Sequence, residues 1–175
     1  IGEVNIGELP TVLDLYVLSY DSNKKLRTAS SALKRNLQSY LSEYRMVNDA
    51  INIKDAFIIN IGIEFDIVTR PNFNNSEVIV KCVNQLTTFF DINNFSINDP
   101  IIIKDLFLLL DKVEGVQTVK NINIINKQGL SLGYSEYAYD ITGATIDDVV
   151  YPSVDPMIFE VKFPDVDIKG RVVPL

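Results

Sequence analysis

The sequence DAFIINIGIEFDIV, from Asp55 to Val68, decides the fold of this chain. The odd-numbered positions from 57 to 67 are all apolar, and they are Phe57, Ile59, Ile61, Ile63, Phe65 and Ile67. The even-numbered positions from 60 to 66 are polar or small, and they are Asn60, Gly62, Glu64 and Asp66. Because successive side chains of a strand point to opposite faces, this alternation predicts a long strand with one core face and one partly wet face. The pattern is typical of an antiparallel sheet covered by helices on one side.

Segments on both sides of this strand alternate between strand and helix patterns. A strand is predicted from Thr11 to Tyr20, and a helix from Ser30 to Tyr44 has Thr28 or Ser30 as its cap. Further along the chain, helices are predicted from Ser76 to Phe90 and from Ile102 or Lys104 to Val113. Gly115 is predicted to end the second of these helices in the left-handed conformation. A strand is then predicted from Val116 to Ile125, followed by a turn at residues 126–129. The order β-α-β-α-α-β predicts an α+β fold, a small and mainly antiparallel sheet with helices packed on one face.

The segment from Ser131 to Leu175, called the C-terminal arm below, breaks this pattern. It holds four of the seven prolines and four of the eight tyrosines of the chain, and no window of it has helical periodicity. Each proline removes a backbone donor and so confines a strand to an edge or a break. Asp147 and Asp148 are predicted to form a hairpin turn within it. We therefore expect an α+β domain at residues 1–130 and an extended, β-rich arm at residues 131–175 that packs on this domain or on a neighbouring subunit.

The charge of the chain is concentrated in the arm. The formal net charge at pH 7 is −7, and residues 131–175 hold eight acidic and three basic side chains. Binding of phosphate groups needs clustered lysine and arginine, so neither a nucleic acid nor an anionic membrane is an expected partner. The acidic arm instead indicates a basic groove or a complementary subunit.

The residue types needed for the commonest enzyme chemistry are missing. The chain has no histidine, which removes the most frequent general base and transition-metal ligand. Glu64 and Asp66 lie on one strand face and are a candidate carboxylate pair, although the alternation already explains them as the solvated side of the strand. Asp165–Gly170 begins like a calcium loop, but it places Lys169 at a ligand position and has no closing glutamate. The sequence predicts a protein that is not an enzyme and that holds no metal or cofactor.

The single cysteine, Cys82, rules out a disulfide within the chain, which fits a reducing compartment. It falls on the apolar face of the helix predicted from Ser76 to Phe90. The prediction for Cys82 is a small hydrophobic residue of the core.

Large aromatic side chains predict that the arm is a contact surface. Tyrosines on it could stack on sugars or bases, but packing at a subunit interface is the commoner use of such residues in acidic surroundings. The residues predicted to form the interface are Tyr134, Tyr137, Tyr139, Tyr151, Met157, Phe159, Phe163 and Arg171. The alternatives are a carbohydrate- or receptor-binding module that uses the tyrosines as platforms, and a hydrolase that uses the carboxylate pair.

Two long motifs of the arm resemble a known family. They are GYSEYAYDITGAT, from Gly133 to Thr145, and VVYPSVDPMIFEVKFPDVDIKGRVV, from Val149 to Val173. They resemble the C-terminal end of the baseplate wedge proteins, of the gene-six type, of T-even-like contractile-tailed bacteriophages. The stretches LKRNLQSYLSEYRMVNDAINIKDAFIINIGIEFDI, from Leu33 to Ile67, and VEGVQTV, from Val113 to Val119, fit the same family and its baseplate J-like relatives.

The resemblance implies a structural protein of the virion, assembled in the host cytoplasm into the tail baseplate. In that family the wedge protein forms dimers, and copies from six wedges join into a ring around the tail hub. The family members bind other wedge proteins and help to transmit the conformational change that triggers sheath contraction. Because the chain is shorter than a whole protein of this type, it is expected to be the C-terminal part of one.

Overall fold

A computed structural model describes residues 12–44 and 50–175 of the chain. The architecture is α+β, as predicted, with four helices and several small sheets in this described part. The chain divides into two compact units after Ala56, and not after residue 130, so the arm belongs to the second unit together with the central strand. Thr11, where the first predicted strand begins, lies outside the described residues.

The first unit contains two strand pairs and one helix. Its elements are β1 (Val12–Val17), β2 (Ser19–Tyr20), β3 (Leu26–Arg27), α1 (Ser31–Ser42) and β4 (Ala50–Asp55). Strands β1 and β4 pair in parallel, and α1 lies in the crossover that a parallel pair requires. The side chain of Ser30 accepts a hydrogen bond from the backbone N–H of Leu33 at 3.2 Å, which confirms Ser30 as the predicted helix cap.

The second unit is built around one 13-residue strand, β5. Its elements are β5 (Phe57–Thr69), α2 (Asn75–Phe89), β6 (Ile101–Ile102), α3 (Ile103–Asp111), β7 (Val116–Lys127), β8 (Thr145–Ile146), β9 (Val149–Val150), β10 (Met157–Glu160), α4 (Pro164–Asp167) and β11 (Ile168–Val172). A short 3-10 helix, Ile92–Asn94, lies between α2 and β6.

The sheet around β5 is mixed, whereas a mainly antiparallel sheet was predicted. Strand β7 pairs with β5 in antiparallel register, but β10 and β11 both run parallel to β5. The two parallel strands pair with successive parts of β5, at residues 57–60 and 63–67. Strand β7 ends beside Asn60 and β10 begins beside Phe57, so both lie at the same end of β5. Strand β10 therefore runs antiparallel to β7 and parallel to β5.

Helices α2 and α3 cover the face of β5 that carries the odd-numbered residues. The buried cluster contains Val78, Cys82 and Leu86 from α2, Leu106 and Leu110 from α3, and Ile59, Ile61, Ile63, Phe65 and Ile67 from β5. Cys82 is completely buried, which confirms the core prediction, and burial raises the pKa of its thiol to about 11. The core of the second unit thus follows from the alternation in β5 and the helical spacing of α2.

Two predicted turns are confirmed by backbone angles. Gly115 has φ +95°, and a Cβ placed there would lie 2.6 Å from Cγ2 of Val78, so both the conformation and the space favour glycine. Asp147 and Asp148 have φ of +52° and +62° and join β8 to β9 as a two-residue hairpin. Strand β9 also pairs with β6, which gives a small three-stranded sheet in the order β6, β9, β8.

Candidate functional site

Four of the eight predicted interface residues are buried inside the chain itself. They are Tyr134, Tyr139, Met157 and Phe159, each at most 9% exposed. Met157 and Phe159 belong to β10, whose pairing with β5 places them in the core cluster. Burial in the same chain leaves these side chains no surface to offer to a partner. Their large apolar groups therefore fill the core, contrary to their prediction as contact residues.

Tyr134, near the start of the arm, contacts helix α4, which lies just before β11. Its hydroxyl donates a hydrogen bond to Oδ1 of buried Asp167 at 2.6 Å, and Oδ2 of Asp167 accepts the backbone N–H of Phe163 at 2.8 Å. The rings of Tyr134 and Phe163 meet edge to face at 5.4 Å. Burial, together with the neighbouring carboxylate, raises the pKa of Tyr134 to about 12.

We expect Tyr134→Phe to destabilise the second unit by about 1–2 kcal/mol, because buried Asp167 loses a hydrogen-bond donor. The pKa of Tyr134 is raised from 10 to about 12 by folding, so its contribution to stability is complete below pH 10 and is lost as the pH rises to 12. The variant should therefore lose less stability than the unsubstituted chain over this pH range. Urea unfolding at a series of pH values measures both effects.

The matched control for this prediction is Tyr151→Phe, because Tyr151 lies in the same arm with an exposed side chain. It should change the free energy of unfolding by less than about 0.5 kcal/mol and leave its pH dependence unchanged. If the two variants lose the same free energy of unfolding between pH 10 and pH 12, the role given to Tyr134 is contradicted.

Asn60 ties the beginning of the arm and β10 to the central strand. Its side-chain amide donates to Oε2 of Glu160 at 2.8 Å, and its Oδ1 accepts the backbone N–H of Ser135 at 2.7 Å. Asn60 and Glu160 are both buried. Asn126 extends this network, since its amide donates to the carbonyl of Asn60 at 3.1 Å. Hydrogen bonds of buried polar groups thus attach the arm to its own chain.

Three further polar contacts continue the attachment along the arm. The backbone N–H of Tyr139 donates to Oδ1 of Asn126 at 3.0 Å, and the Tyr139 hydroxyl donates to the carbonyl of Tyr151. Near β10, Oδ1 of Asn98 accepts the backbone N–H of Met157 at 2.9 Å. The irregular segment between β7 and β10 is therefore held at several points by side chains of its own unit.

The other four predicted interface residues lie nearer the surface. Tyr137 is half-buried and meets Phe57 edge to face at 5.0 Å, while the side chains of Tyr151 and Phe163 are exposed. Arg171 forms a two-pronged ion pair with Asp66, at 2.9 and 3.1 Å, and its own side chain is three-quarters exposed. Because Tyr134 and Tyr139 are buried, only Tyr137 and Tyr151 of the four arm tyrosines remain to form the platform that a sugar-binding module would use.

The candidate sites for chemistry are occupied by structural contacts. Asp66, one of the candidate carboxylate pair, is bound by Arg171, and Glu64 is exposed on the strand. Asp167, in the segment that begins like a calcium loop, is bound by Tyr134 and by the backbone of Phe163. Across residues 12–44 and 50–175, no group of three or more acidic, cysteine or histidine side chains could hold a metal ion.

A large uncovered apolar surface lies on α1, in the first unit. We call it the α1 face, and it consists of Leu33, Leu37, Tyr40 and Tyr44. The helix buries none of its residues, and Leu33, Tyr40 and Tyr44 are 47%, 59% and 71% exposed. Tyr40 and Tyr44 contact each other with ring centroids 5.1 Å apart. The sequence showed the stripe by its spacing of three and four residues, but only the structure shows that three of its four side chains are exposed among residues 12–44 and 50–175.

A second exposed apolar surface lies on the three-stranded sheet of the second unit. Ile102, Val149 and Ile146 stand side by side across β6, β9 and β8, and we call this row the sheet strip. Ile102 is 40% exposed and Ile146 is 60% exposed. Beside Ile102 runs an open groove of about 440 Å³ lined by Phe89, Asn94, Phe95, Asp99, Pro100 and Ile102. The hairpin predicted at Asp147 and Asp148 places Ile146 beside Val149, but no pattern in the sequence placed Ile102 next to them.

Acidic residues border the sheet strip. The hairpin tip between β8 and β9 consists of Asp147 and Asp148, and both side chains are exposed. Asp148 lies 3.5 Å from Nζ of Lys104, and Asp99 lines the groove on the other side of Ile102. The strip is thus apolar in its centre and negatively charged at its border, as protein interfaces with a charged rim are.

No family model matches the chain, and no curated protein matches it. Of the helices in the described ranges, none has the length and apolar character needed to cross a membrane. The proposals below therefore rest on side-chain geometry and on the sequence resemblance.

Proposed function

We propose that this chain is a structural subunit of a contractile-tail baseplate wedge, which associates with copies of itself and with other wedge proteins. The observation that carries the proposal is the α1 face, in which the side chains of Leu33, Tyr40 and Tyr44 are exposed in the described part of the chain. Exposed apolar surface of this kind costs free energy in water and is removed by contact with another molecule. The resemblance of the arm and of residues 33–67 to the wedge family adds support from the sequence.

The surfaces proposed for this function are the α1 face and the sheet strip, and not the arm. The arm was predicted to make the contacts, but its strands pair with β5 and half of its predicted contact residues are buried. In this proposal the arm stabilises the second unit. The α1 face and the sheet strip make the contacts with other subunits. A subunit with two different exposed surfaces suits a ring, since contacts between unlike surfaces close into rings when the rotation allows it.

Mass spectrometry of virions tests the proposed function. Particles of the virus that encodes the chain are purified through a density gradient and washed with high salt to remove adsorbed protein. Peptides of this chain should persist in a fixed ratio to the sheath protein, and they should be enriched in isolated baseplates over isolated sheaths. Loss of these peptides during purification, or their absence from baseplates, would overturn the proposal.

A further inference from the structure

Strand β7 forms one edge of the sheet in the second unit. It has 12 residues, and among the described strands it pairs only with β5. The outer side of an edge strand carries the backbone N–H and C=O groups of alternate residues, and these groups can pair with another strand. The hydrogen bonds of β5 determine which residues of β7 turn their backbone groups outward.

The odd-numbered residues of β5 turn their backbone groups away from β7. The N–H of Phe57 donates to the carbonyl of Pro156, and the carbonyl of Ile67 accepts the N–H of Val173, both at 2.9 Å. Pro156 and Val173 flank β10 and β11, which lie on the other side of β5. Because backbone groups alternate along a strand, the even-numbered residues of β5 face β7.

The outward groups of β7 therefore belong to Ile122, Ile124 and Asn126. The residues of β7 that lie opposite positions 60, 62, 64 and 66 of β5 are the odd-numbered ones from 121 to 127, and these bond to β5. The three residues between them point their N–H and C=O groups to the outer side. Within residues 12–44 and 50–175, no hydrogen bond occupies these outward groups.

The first part of this edge is protected, and the second part is open. Oδ1 of Asp111 accepts the N–H of Val119 at 3.2 Å, Lys120 is charged and exposed, and the register with β5 shifts twice between residues 116 and 121. Capping side chains, lysines and bulges are the means by which proteins prevent unwanted pairing of edges. Residues 121–126, Asn-Ile-Asn-Ile-Ile-Asn, have neither charge nor proline. We call the outer side of this segment the open edge.

The open edge is complementary to itself in antiparallel direction. A two-fold axis at Asn123 places Ile122 opposite Ile124 of the second copy, so that each pair exchanges both hydrogen bonds and the isoleucines meet on the helix-covered face. An axis at Ile122 instead places Ile124 opposite charged Lys120. An axis at Ile124 places Ile122 opposite Asn126, whose side chain is already bound within its own unit.

We propose that the open edge of β7 pairs with the same edge of a second copy of this chain, about a two-fold axis at Asn123. The inference rests on the proposed function, because it names a surface through which copies associate, in addition to the α1 face and the sheet strip. The open edge has no charge that would select a partner of opposite charge, whereas its own reverse supplies matching isoleucines and backbone groups. The contact uses the same edge in both copies, so pairing through this edge ends at a dimer.

The length of the open edge sets the strength of the contact. Six residues of a strand span about 20 Å. Pairing over this length covers less than the roughly 800 Å² per partner of a standard stable interface. The dimer is therefore reversible in dilute solution, and it becomes persistent when other subunits hold the two copies close together.

Sedimentation velocity of the full chain and its charge variants tests the pairing. Asn123→Glu alters an exposed side chain and places two carboxylates opposite each other across the axis, next to Glu64 of each copy. Because like charges directly opposite are unfavourable, this variant should raise the dissociation constant of the dimer about fivefold or more. The matched control is Asn121→Glu, also exposed and also beside a carboxylate, that of Asp66, but opposite Ile125 of the second copy. It should change the dissociation constant much less.

A mixture of Asn123→Glu with Asn123→Lys tests the two-fold axis directly. Only the mixed dimer brings a carboxylate opposite an ammonium group, so it should form more tightly than the dimer of either variant alone. Circular dichroism verifies that all variants are folded, which is expected because Asn121 and Asn123 are exposed.

Disulfide formation by single cysteine variants measures the register. Asn123→Cys places two cysteines in a pair without backbone hydrogen bonds, with Cα atoms about 4.5 Å apart, and a mild oxidant should link them into a dimer. Asn121→Cys is the control, since its Cα atoms lie about 14 Å apart in this register, beyond the reach of a disulfide. The native Cys82 is completely buried and does not compete.

Three results would overturn the pairing. One is an unsubstituted chain that stays monomeric at every concentration, and another is a dimer that Asn123→Glu does not weaken. The third is linking of Asn121→Cys as fast as that of Asn123→Cys, which places the contact elsewhere. The proposed function is tested separately by the presence of the chain in purified baseplates. Its absence there would refute that function whatever the sedimentation shows.

Discussion

A chain that ends after Gly129 should lose the fold of its second unit completely. The truncation removes β10 and β11, which supply all the parallel pairing to β5. It also removes Met157, Phe159 and Ile168 from the core, and burial of three such side chains contributes several kcal/mol. Because a domain of this size is stable by only about 5–15 kcal/mol, the remaining residues 57–129 cannot keep the fold. Near-ultraviolet circular dichroism and amide hydrogen exchange of β5 measure the loss.

Removal of Pro174 and Leu175 alone is the matched control for the truncation. The backbone N–H of Val173 still donates to the carbonyl of Ile67 at 2.9 Å in this shorter chain, and every strand pair of the sheet is retained. The control should unfold at the same urea concentration as the full chain. A truncated chain that keeps protected amides in β5 would show that the arm is an appendage and not part of the unit.

Asn60→Ala should destabilise the second unit by about 2–4 kcal/mol. The substitution removes the amide that donates to the buried carboxylate of Glu160 and the oxygen that accepts the N–H of Ser135. Each buried polar group that loses a hydrogen-bond partner costs free energy, and alanine replaces neither contact. Chemical denaturation measures the free energy, and hydrogen exchange should show faster exchange at Ser135 than in the unsubstituted chain.

Asn93→Ala is the control for the asparagine prediction. Asn93 is exposed, and its amide donates to Asp91 at 2.7 Å in a local turn. Its replacement should change stability by less than about 0.5 kcal/mol. If both asparagine variants unfold at the same denaturant concentration, the buried network does not hold the arm.

Local patterns of the sequence were sufficient for the helices, for β5 and for the α+β class. The alternation from Phe57 to Ile67 describes one buried face of a strand, and it needs no knowledge of the neighbouring strands. The caps, the hairpin of Asp147 and Asp148, and the left-handed Gly115 follow from the conformational preferences of single residues. These predictions depend on residues close together in the chain, which is why they succeeded.

The partner of the arm could not be predicted, because its contacts join distant residues. Met157 pairs with Phe57, and no local pattern specifies a neighbour so far away in the chain. The prolines were read correctly as interruptions, since Pro164 begins α4 and Pro156 precedes β10. The interruptions nevertheless leave short strands that complete the sheet. A large apolar side chain such as Phe159 indicates that it will be buried, but not whether its own chain or a partner buries it.

The two exposed surfaces were missed for different reasons. The α1 stripe was visible, but a helical stripe predicts an apolar face and not whether the chain covers it. The sheet strip was missed because the predicted hairpin pairs only Ile146 with Val149, and no local pattern specifies the strand that adds Ile102. Whether an apolar residue lies in the core or on an exposed surface depends on the tertiary structure. The two candidate surfaces could therefore be identified only from the structure.

The pairing of β5 with β7 on one side and with β10 and β11 on the other also determines the order in which the sheet can form during synthesis. The ribosome makes β5 long before β10 and β11, which pair with it across about one hundred residues. Until residues 157–172 emerge, the nascent chain carries a 13-residue strand that has one apolar face and an open edge, a template for aggregation. Pairing over such distances is slow to form, so a chaperone that shields β5 would raise the yield of native protein most during translation.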